Sequence, residues 1–386
     1  MSATRIASCS TDLLGLSIRK LEPITHASLL TMHWDVFCRV IDNWGDIGVC
    51  WRLSAQLAAG GDTVRLWIDD PAALAWMAPG GAEGVTVLRW SADTQWPSPG
   101  DVVIEAFGCE LPAAFVRQMA ERPSGAREPA WINLEYLSAE DYVARSHRLI
   151  SPQMAGPGAG LRKQFFYPGF MVDTGGLLRE PDLLARQSKF DAIAWRAAHG
   201  LQINDGERIV SLFCYEHAPL QALIDVLQSQ PTLLAVTFGA ASQLAIKTLG
   251  PNLRAGAVRA VLVPALPQPE FDHLLWSCDL NFVRGEDSLV RALWAGRPFI
   301  WQIYPQTDRV HANKLHAFNA LYLEGGEPAL ADSYAILSNR WNGLSMDIAR
   351  LPATAAWRSH AARWREQLLR QSDLVTQLRA LVTVTG

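Results

Sequence analysis

Apolar runs of strand length alternate with helical patterns along almost the whole chain. "WDVFCRVI" is followed by a helical stretch over 47–59, then by "TVRLWIDD" and a helical "PAALAWMA". "GVTVLRW", "DVVIEAF", the helical "LPAAFVRQMAER", "AWINLEY" and "RLISPQ" continue the series. Such alternation predicts a mostly parallel sheet with helices on both faces. Residues 151–182 are rich in Gly and Pro and read as loop and interdomain connection. A second series opens near Glu207 with "RIVSLFCY", a helix over 219–229, "LLAVTF", a polar helix over 240–248 and "AVLVPAL". It closes with a helix over 269–277, "CDLNFV", a helix over 288–295 and "PFIWQIY", and a long helical region, 353–381, ends the chain. The pattern predicts an α/β protein of two successive α/β domains, 32–180 and 181–352, followed by a helical segment, 353–386. In open sheets of this kind ligands sit at the carboxyl ends of the strands, so the cleft is the expected site.

Composition narrows the class. At 386 residues the chain exceeds one ordinary hydrophobic core, and 49% hydrophobic against 19% charged residues suits a compact soluble protein. A formal net charge of -4 gives no reason to expect nucleic acid or an anionic membrane as a partner. The six cysteines are scattered without a CxxC pair, which fits buried free thiols and a reducing cytoplasm. The nine histidines show no metal-ligand spacing, so no metal is expected. Residues 1–31 carry apolar runs broken by Arg19, Lys20 and Glu22, too interrupted for a secretory or membrane-spanning segment. They read as an extension without fixed structure, upstream of a first strand that begins at Met32.

Two stretches carry chemistry. After the first strand, Asp42-Asn43-Trp44-Gly45-Asp46 sets two carboxylates in front of an apolar helix. Asp46 reads either as the N-cap of that helix or as a working acid, and Asp42 either as a strand-end turn residue or as its companion. No GxGxxG follows the strand and no GxxxxGK[ST] occurs anywhere, so a nicotinamide site or P-loop is not expected. In the second half, Arg284-Gly285-Glu286-Asp287-Ser288 reads as a tight turn between a buried strand and a helix. A helix N-terminus beside an arginine suits a diphosphate. Asp287 would cap the helix or hold the loop, and Glu286 would bind sugar hydroxyls or attract a cationic acceptor; the alternative is a plain capped helix with surface charges. Phe213 and Tyr215 fall on one face of a strand end, and Gln268 in a Pro-bounded loop. Aromatic rings with an amide suit a pyrimidine, although rings in such a run also serve as core.

Taken together, "VFCRVIDNWGDIGVCWRLSAQLA", "VRLWIDD", "FFYPGF", "LPQPEFDHLLWSCDLNFVRGEDSLVRALWAGRPFIWQIYPQ" and "HANKL" closely resemble the EarP-type protein-arginine rhamnosyltransferases. The resemblance implies a GT-B-like fold, two Rossmann-like domains across a cleft with a C-terminal helix packing back on the first. It also implies an inverting transfer of rhamnose from dTDP-β-L-rhamnose to an arginine of translation elongation factor P, with no metal or other cofactor. Asp46 would be the general base, Asp42 a second essential acid and Glu286 a further catalytic acid. Phe213, Tyr215, Gln268, Arg284, Glu286, Asp287 and Ser288 would form the nucleotide-sugar site. The alternatives are an inverting GT-B transferase with a hydroxyl acceptor and a non-catalytic nucleotide-sugar binder.

Overall fold

The computed structural model describes residues 31–41, 44–122, 127–305 and 310–384. The expected extension at 1–31, apart from Thr31, and the site assignment of Asp42 lie outside these residues. Two sheets organise the rest.

The first lobe is built on β1 (His33–Cys38), β2 (Thr63–Ile68), β3 (Val85–Arg89), β4 (Val102–Ala106), β5 (Ala130–Leu134), β6 (Ile150–Pro152) and β7 (Arg162–Phe166), in the order β3-β2-β1-β4-β5-β7-β6. Every neighbouring pair is parallel except β6 with β7. Between the strands run α1 (Gly45–Ala59), α2 (Leu74–Met77), α3 (Ala113–Ala120) and α4 (Tyr142–Ser146). The β7 strand falls inside the stretch expected to be only loop. Its sequence, RKQFF, has one fully buried residue, and Lys163 reaches Glu105 on β4 at 3.1 Å. A strand that packs by an ion pair shows no apolar run to read.

Two short helices, α5 (Leu183–Lys189) and α6 (Ala192–Ala198), lead to the second lobe. Its sheet comprises β8 (Arg208–Leu212), β9 (Thr232–Val236), β10 (Arg254–Ala255), β11 (Val258–Leu262), β12 (Leu280–Arg284) and β13 (Phe299–Gln302), in the order β10-β11-β9-β8-β12-β13. The crossovers include α7 (Leu220–Leu227), α8 (Ala240–Leu249), α9 (Gln268–Ser277) and α10 (Gly285–Ala295). Then come α11 (Val310–Leu323), α12 (Pro328–Trp341), α13 (Thr354–Leu369) and α14 (Leu374–Val384). The C-terminal region is thus two helices, not one. Trp357, Trp364 and Leu368 of α13 join the core of the second lobe, whereas Leu374, Val375, Leu378 and Val382 of α14 join that of the first. Asp373 caps α14, accepting from Thr376 N at 3.1 Å, which fixes the break.

Helix α1 explains how the lobes meet. Ile47, Cys50, Leu53 and Leu57 are fully buried, each such side chain stabilising by about 1.5–3 kcal/mol on transfer from water. Arg52, Ser54 and Gln56 are buried too. A helix with polar residues on a dry face needs partners there, and α1 finds them in the segments that join the lobes and across the cleft. Gln56 donates to Arg179 O at 2.8 Å and Asp373 Oδ1 at 3.0 Å, while Arg52 reaches α9 and α10.

Candidate active site

Strand order reverses between β1 and β4 in the first sheet and between β8 and β12 in the second. These are the switch points at which neighbouring crossovers diverge and leave a crevice. Asp46 follows β1, Phe107 follows β4, Phe213 and Tyr215 follow β8, and Arg284 ends β12. The two crevices together bring the described sequence-predicted residues to one cleft.

Helix α10 starts at Gly285, so the expected tight turn is already its first turn. Arg284 is still extended (φ -131°, ψ 158°), and Gly285 at φ 66° turns the chain into the helix; that left-handed value is inexpensive only without a Cβ. Successive helical residues point about 100° apart, and the next three side chains diverge accordingly. The Glu286 carboxylate accepts from Leu137 N at 2.8 Å and from Lys314 Nζ at 2.6 Å. Asp287 pairs with Arg52 of α1 at 3.1 Å. The Ser288 hydroxyl donates to the Arg284 carbonyl. No side chain caps α10, so the N–H groups of its first turn face the cleft with the positive end of the helix dipole. Asp287 is therefore bound to the facing lobe rather than capping its helix.

One pocket is lined by Trp44, Trp76 and Met77 from the first lobe and by Phe213, Phe238, Phe271, Gln268, Arg284, Asp287 and Ser288 from the second. The Arg284 guanidinium lies 4.3 Å from the Tyr215 ring centre, 4.7 Å from Phe213 and 5.5 Å from Trp44. Stacking on three rings holds a cation beside the helix N-terminus. Phe213 meets Phe271 edge-on at 5.4 Å, and Trp44 stacks on Phe238 at 6.3 Å across the cleft. Tyr215 backs Arg284 from outside this lining, its backbone N–H donating to Gln302 Oε1 at 2.8 Å. Gln268 lies not in a loop but at the first position of α9, and its amide donates to Gly48 O at 3.0 Å.

A second pocket adjoins the first. Asp46, Glu286, Phe107, Tyr136, Tyr304, His311 and Lys314 line it, and Gly45 and Gly285 line both pockets. Asp46 is 3% exposed and lies inside α1, where the capping position belongs to Trp44. The N-cap reading of Asp46 is thereby corrected. Its Oδ2 accepts from Ile41 N at 2.9 Å, which orients the carboxylate at the end of β1. Phe107, a non-glycine residue at φ 57°, stacks on Tyr136 at 4.6 Å. Left-handed backbone on a bulky side chain costs energy and recurs where a site dictates geometry. Burial pushes the Glu286 carboxyl up, and the Lys314 ammonium opposes the shift.

From Arg52 in the wall of the first pocket runs an ionic cluster that the sequence did not disclose. Arg52 pairs with Asp272 at 3.1 Å and Glu180 at 3.3 Å; Arg291 pairs with Asp272 at 2.6 Å and Glu180 at 2.9 Å. Burial raises the Glu180 carboxyl, but the Arg291 and Arg52 guanidinium groups outweigh it and hold it at about 2. Trp44, Trp76 and Phe238 also line the pocket, at positions beside turns and in a short helix where no period marks them.

Comparison with known proteins gives one answer. Residues 34–383 match the family described as Elongation-Factor P (EF-P) rhamnosyltransferase EarP. The chain is 45% identical over 375 residues to a protein-arginine rhamnosyltransferase of Pseudomonas putida, covering 89% of this chain and 97% of that one. It is 41% identical over 378 residues to the protein of that name in Pseudomonas aeruginosa, with the same coverage. A solved structure reported on the structural basis for EarP-mediated arginine glycosylation of translation elongation factor EF-P superposes with a TM-score of 0.62 at 30% identity, over 92% of this chain and all of that one. The spinosyn forosaminyltransferase SpnP, at 13% identity and a TM-score of 0.50 over 92% of this chain and all of its own, shares the fold alone. The fold is GT-B, and with nearly the whole chain matched the protein belongs to the EarP family of elongation factor P rhamnosyltransferases.

Proposed function

We propose that the protein transfers L-rhamnose from dTDP-β-L-rhamnose to an arginine side chain of translation elongation factor P, in the cytoplasm, with inversion at the anomeric carbon. The observation that carries this reading is the pair of pockets joined at Gly45 and Gly285. One offers rings, a stacked guanidinium and a helix N-terminus; the other offers two carboxylates among aromatic rings. The first suits a nucleoside diphosphate, the second a planar cation. Among the described residues no helix is long and apolar enough to cross a membrane, consistent with soluble donor and acceptor.

The chemistry follows from charge placement. Arginine is a poor nucleophile because its cation is stable and its lone pairs are delocalised. A carboxylate that accepts a proton as the new bond forms makes attack feasible. In this scheme Asp46 receives the proton from the attacking guanidinium nitrogen, and that nitrogen bonds to the anomeric carbon from the face opposite the departing diphosphate. Asp42, four residues earlier, shares the grip on the acceptor, and Glu286 holds it from the facing lobe. The bond from the anomeric carbon to the diphosphate oxygen breaks with its electron pair, and dTDP leaves as an anion beside Arg284 and the start of α10. Neither step calls for a metal or other cofactor. Phe213 and Gln268 take the thymine, with Tyr215 and Ser288 fixing Arg284. Asp287 ties the donor helix to α1.

Incubation with dTDP-β-L-rhamnose and purified elongation factor P, followed by intact-mass spectrometry, tests the proposal. One added deoxyhexose, lost when the target arginine is replaced by lysine, is the expected result. An unmodified factor with an active donor would overturn it.

A further inference from the structure

The second pocket holds a cation of its own. Lys314, on α11, places Nζ 2.6 Å from Glu286 Oε1, and Leu137 N–H holds Oε2 at 2.8 Å. The ammonium also sits 5.5 Å from the Tyr136 ring centre. Lys314 and Glu286 are only about a fifth exposed, so their interaction is poorly screened by solvent. Asp46 enters from α1, Tyr136 follows β5 next to Glu135, Tyr304 follows β13, and His311 shares α11 with Lys314. Tyr142 on α4 also senses the Glu286 charge. Asp287, the next residue on α10, is engaged by Arg52.

We propose that Lys314 is a positioning residue for the acceptor, keeping Glu286 ionised and aimed into the pocket that Asp46 shares. The inference rests on the arginine-acceptor reading above. Two carboxylates a pocket's width apart disfavour joint ionisation. With the ammonium present, Lys314 offsets one of the two carboxylate charges, Asp46 and Glu286, that line this pocket. Without it, burial and the Asp46 charge drive Glu286 toward its neutral form, which accepts fewer hydrogen bonds from a cation. Lys314 touches no reacting atom in this scheme; it acts through Glu286.

The test compares full-length wild type, Lys314→Met and Lys314→Arg across a range of pH. In Lys314→Met the Glu286 carboxyl titrates higher, so the turnover deficit on elongation factor P should be largest at the acid end and shrink as pH rises. Each unit of displacement gives about a tenfold deficit there. Thermal stability should move oppositely. A folded-state value raised further stabilises at low pH and is lost as pH climbs through it, so the gap in melting temperature to wild type should widen with pH. Lys314→Arg should stay near wild type in both, and dTDP affinity should be unchanged in all three. Deficits in activity and stability that are flat with pH would overturn the proposal, because a merely structural lysine predicts them. Wild type without transfer at any pH would refute the acceptor reading instead, while the stability profile would still decide whether Lys314 sets the charge of Glu286.

Discussion

Replacing Asp46 by Asn separates its chemical role from its structural one. Asp46 lies inside the first turn of α1, and Trp44 holds the capping position, so no side-chain cap is lost. The amide oxygen of Asn can still accept from Ile41 N, now 2.9 Å from Oδ2. What disappears is a negative charge near a helix N-terminus, worth about 0.3–1 kcal/mol, or a few degrees at most in the thermal midpoint. The catalytic loss should be far larger. Removal of a general base lowers rates by about 10²–10⁴, which is about 2.7–5.4 kcal/mol of barrier. dTDP affinity should hold, because Asp46 lines the second pocket and not the first. Single-turnover rates at saturating donor, with calorimetric dTDP binding and a melting curve on the same preparation, give all three quantities. Combining the change with Asp42→Asn should cost less than the sum of the two if both acids grip one guanidinium. A folded Asp46→Asn with normal turnover would refute the base assignment.

Phe213→Ala should weaken dTDP binding by about 1–3 kcal/mol in calorimetry, through loss of a stacking ring and of one wall around Arg284; unchanged affinity would remove Phe213 from the donor pocket. Transfer should persist in excess EDTA, since Arg284 and the start of α10 supply the positive charge; activity that returns only with Mg²⁺ or Mn²⁺ would contradict this. Arg291→Met should lower stability by about 3 kcal/mol in denaturant unfolding, the low end of the range for a broken buried pair, because Asp272 and Arg291 are each 1% exposed and the carboxylate keeps only Arg52. Glu180, held at about 2 in the folded state, contributes stability that is complete above its unfolded value, near 4.5. That stability should fade as pH drops from there toward about 2, a loss visible in acid melting curves and reduced in Glu180→Gln.

What the sequence discloses tracks how local the physics is. β1, β4, β8, β9 and β12 are buried along nearly their whole length because helices cover both faces of their sheets, and their largely apolar runs of strand length reveal them. Arg284 and Asp46 stand at strand-to-helix junctions, where chain order itself delivers them to a switch point. β7 escapes because its burial is lopsided and its partner for Lys163 is Glu105, more than fifty residues away. Arg52, Glu180, Asp272 and Arg291 escape for the same reason. Each is an ordinary charged residue until folding joins segments separated by over a hundred positions. Asp287 was legible as a cleft residue but its partner was not, since Arg52 lies in the other lobe. Gln268 lines the pocket and also donates to Gly48 O of the other lobe, a contact no local pattern announces.

The chain crosses between lobes twice, after β7 and again between α13 and α14, and the crossings are stitched together. Arg179 donates to Leu369 O and Gln371 O at 3.2 Å each, Gln371 donates to Phe170 O at 2.7 Å, and Leu374 N to Leu177 O at 3.0 Å. Two tethers sewn side by side behave as one hinge strip rather than as independent leashes. With both crossings held together along one edge, a tilt about that strip would strain them less than a separation of the lobes, like a book whose spine is the Arg179 seam. Pages far from a spine travel farthest, so in such a tilt groups near the seam would keep their registry while the opposite rim moved most. Alignment of small groups and room for a bulky partner would then be set by distance from a single line.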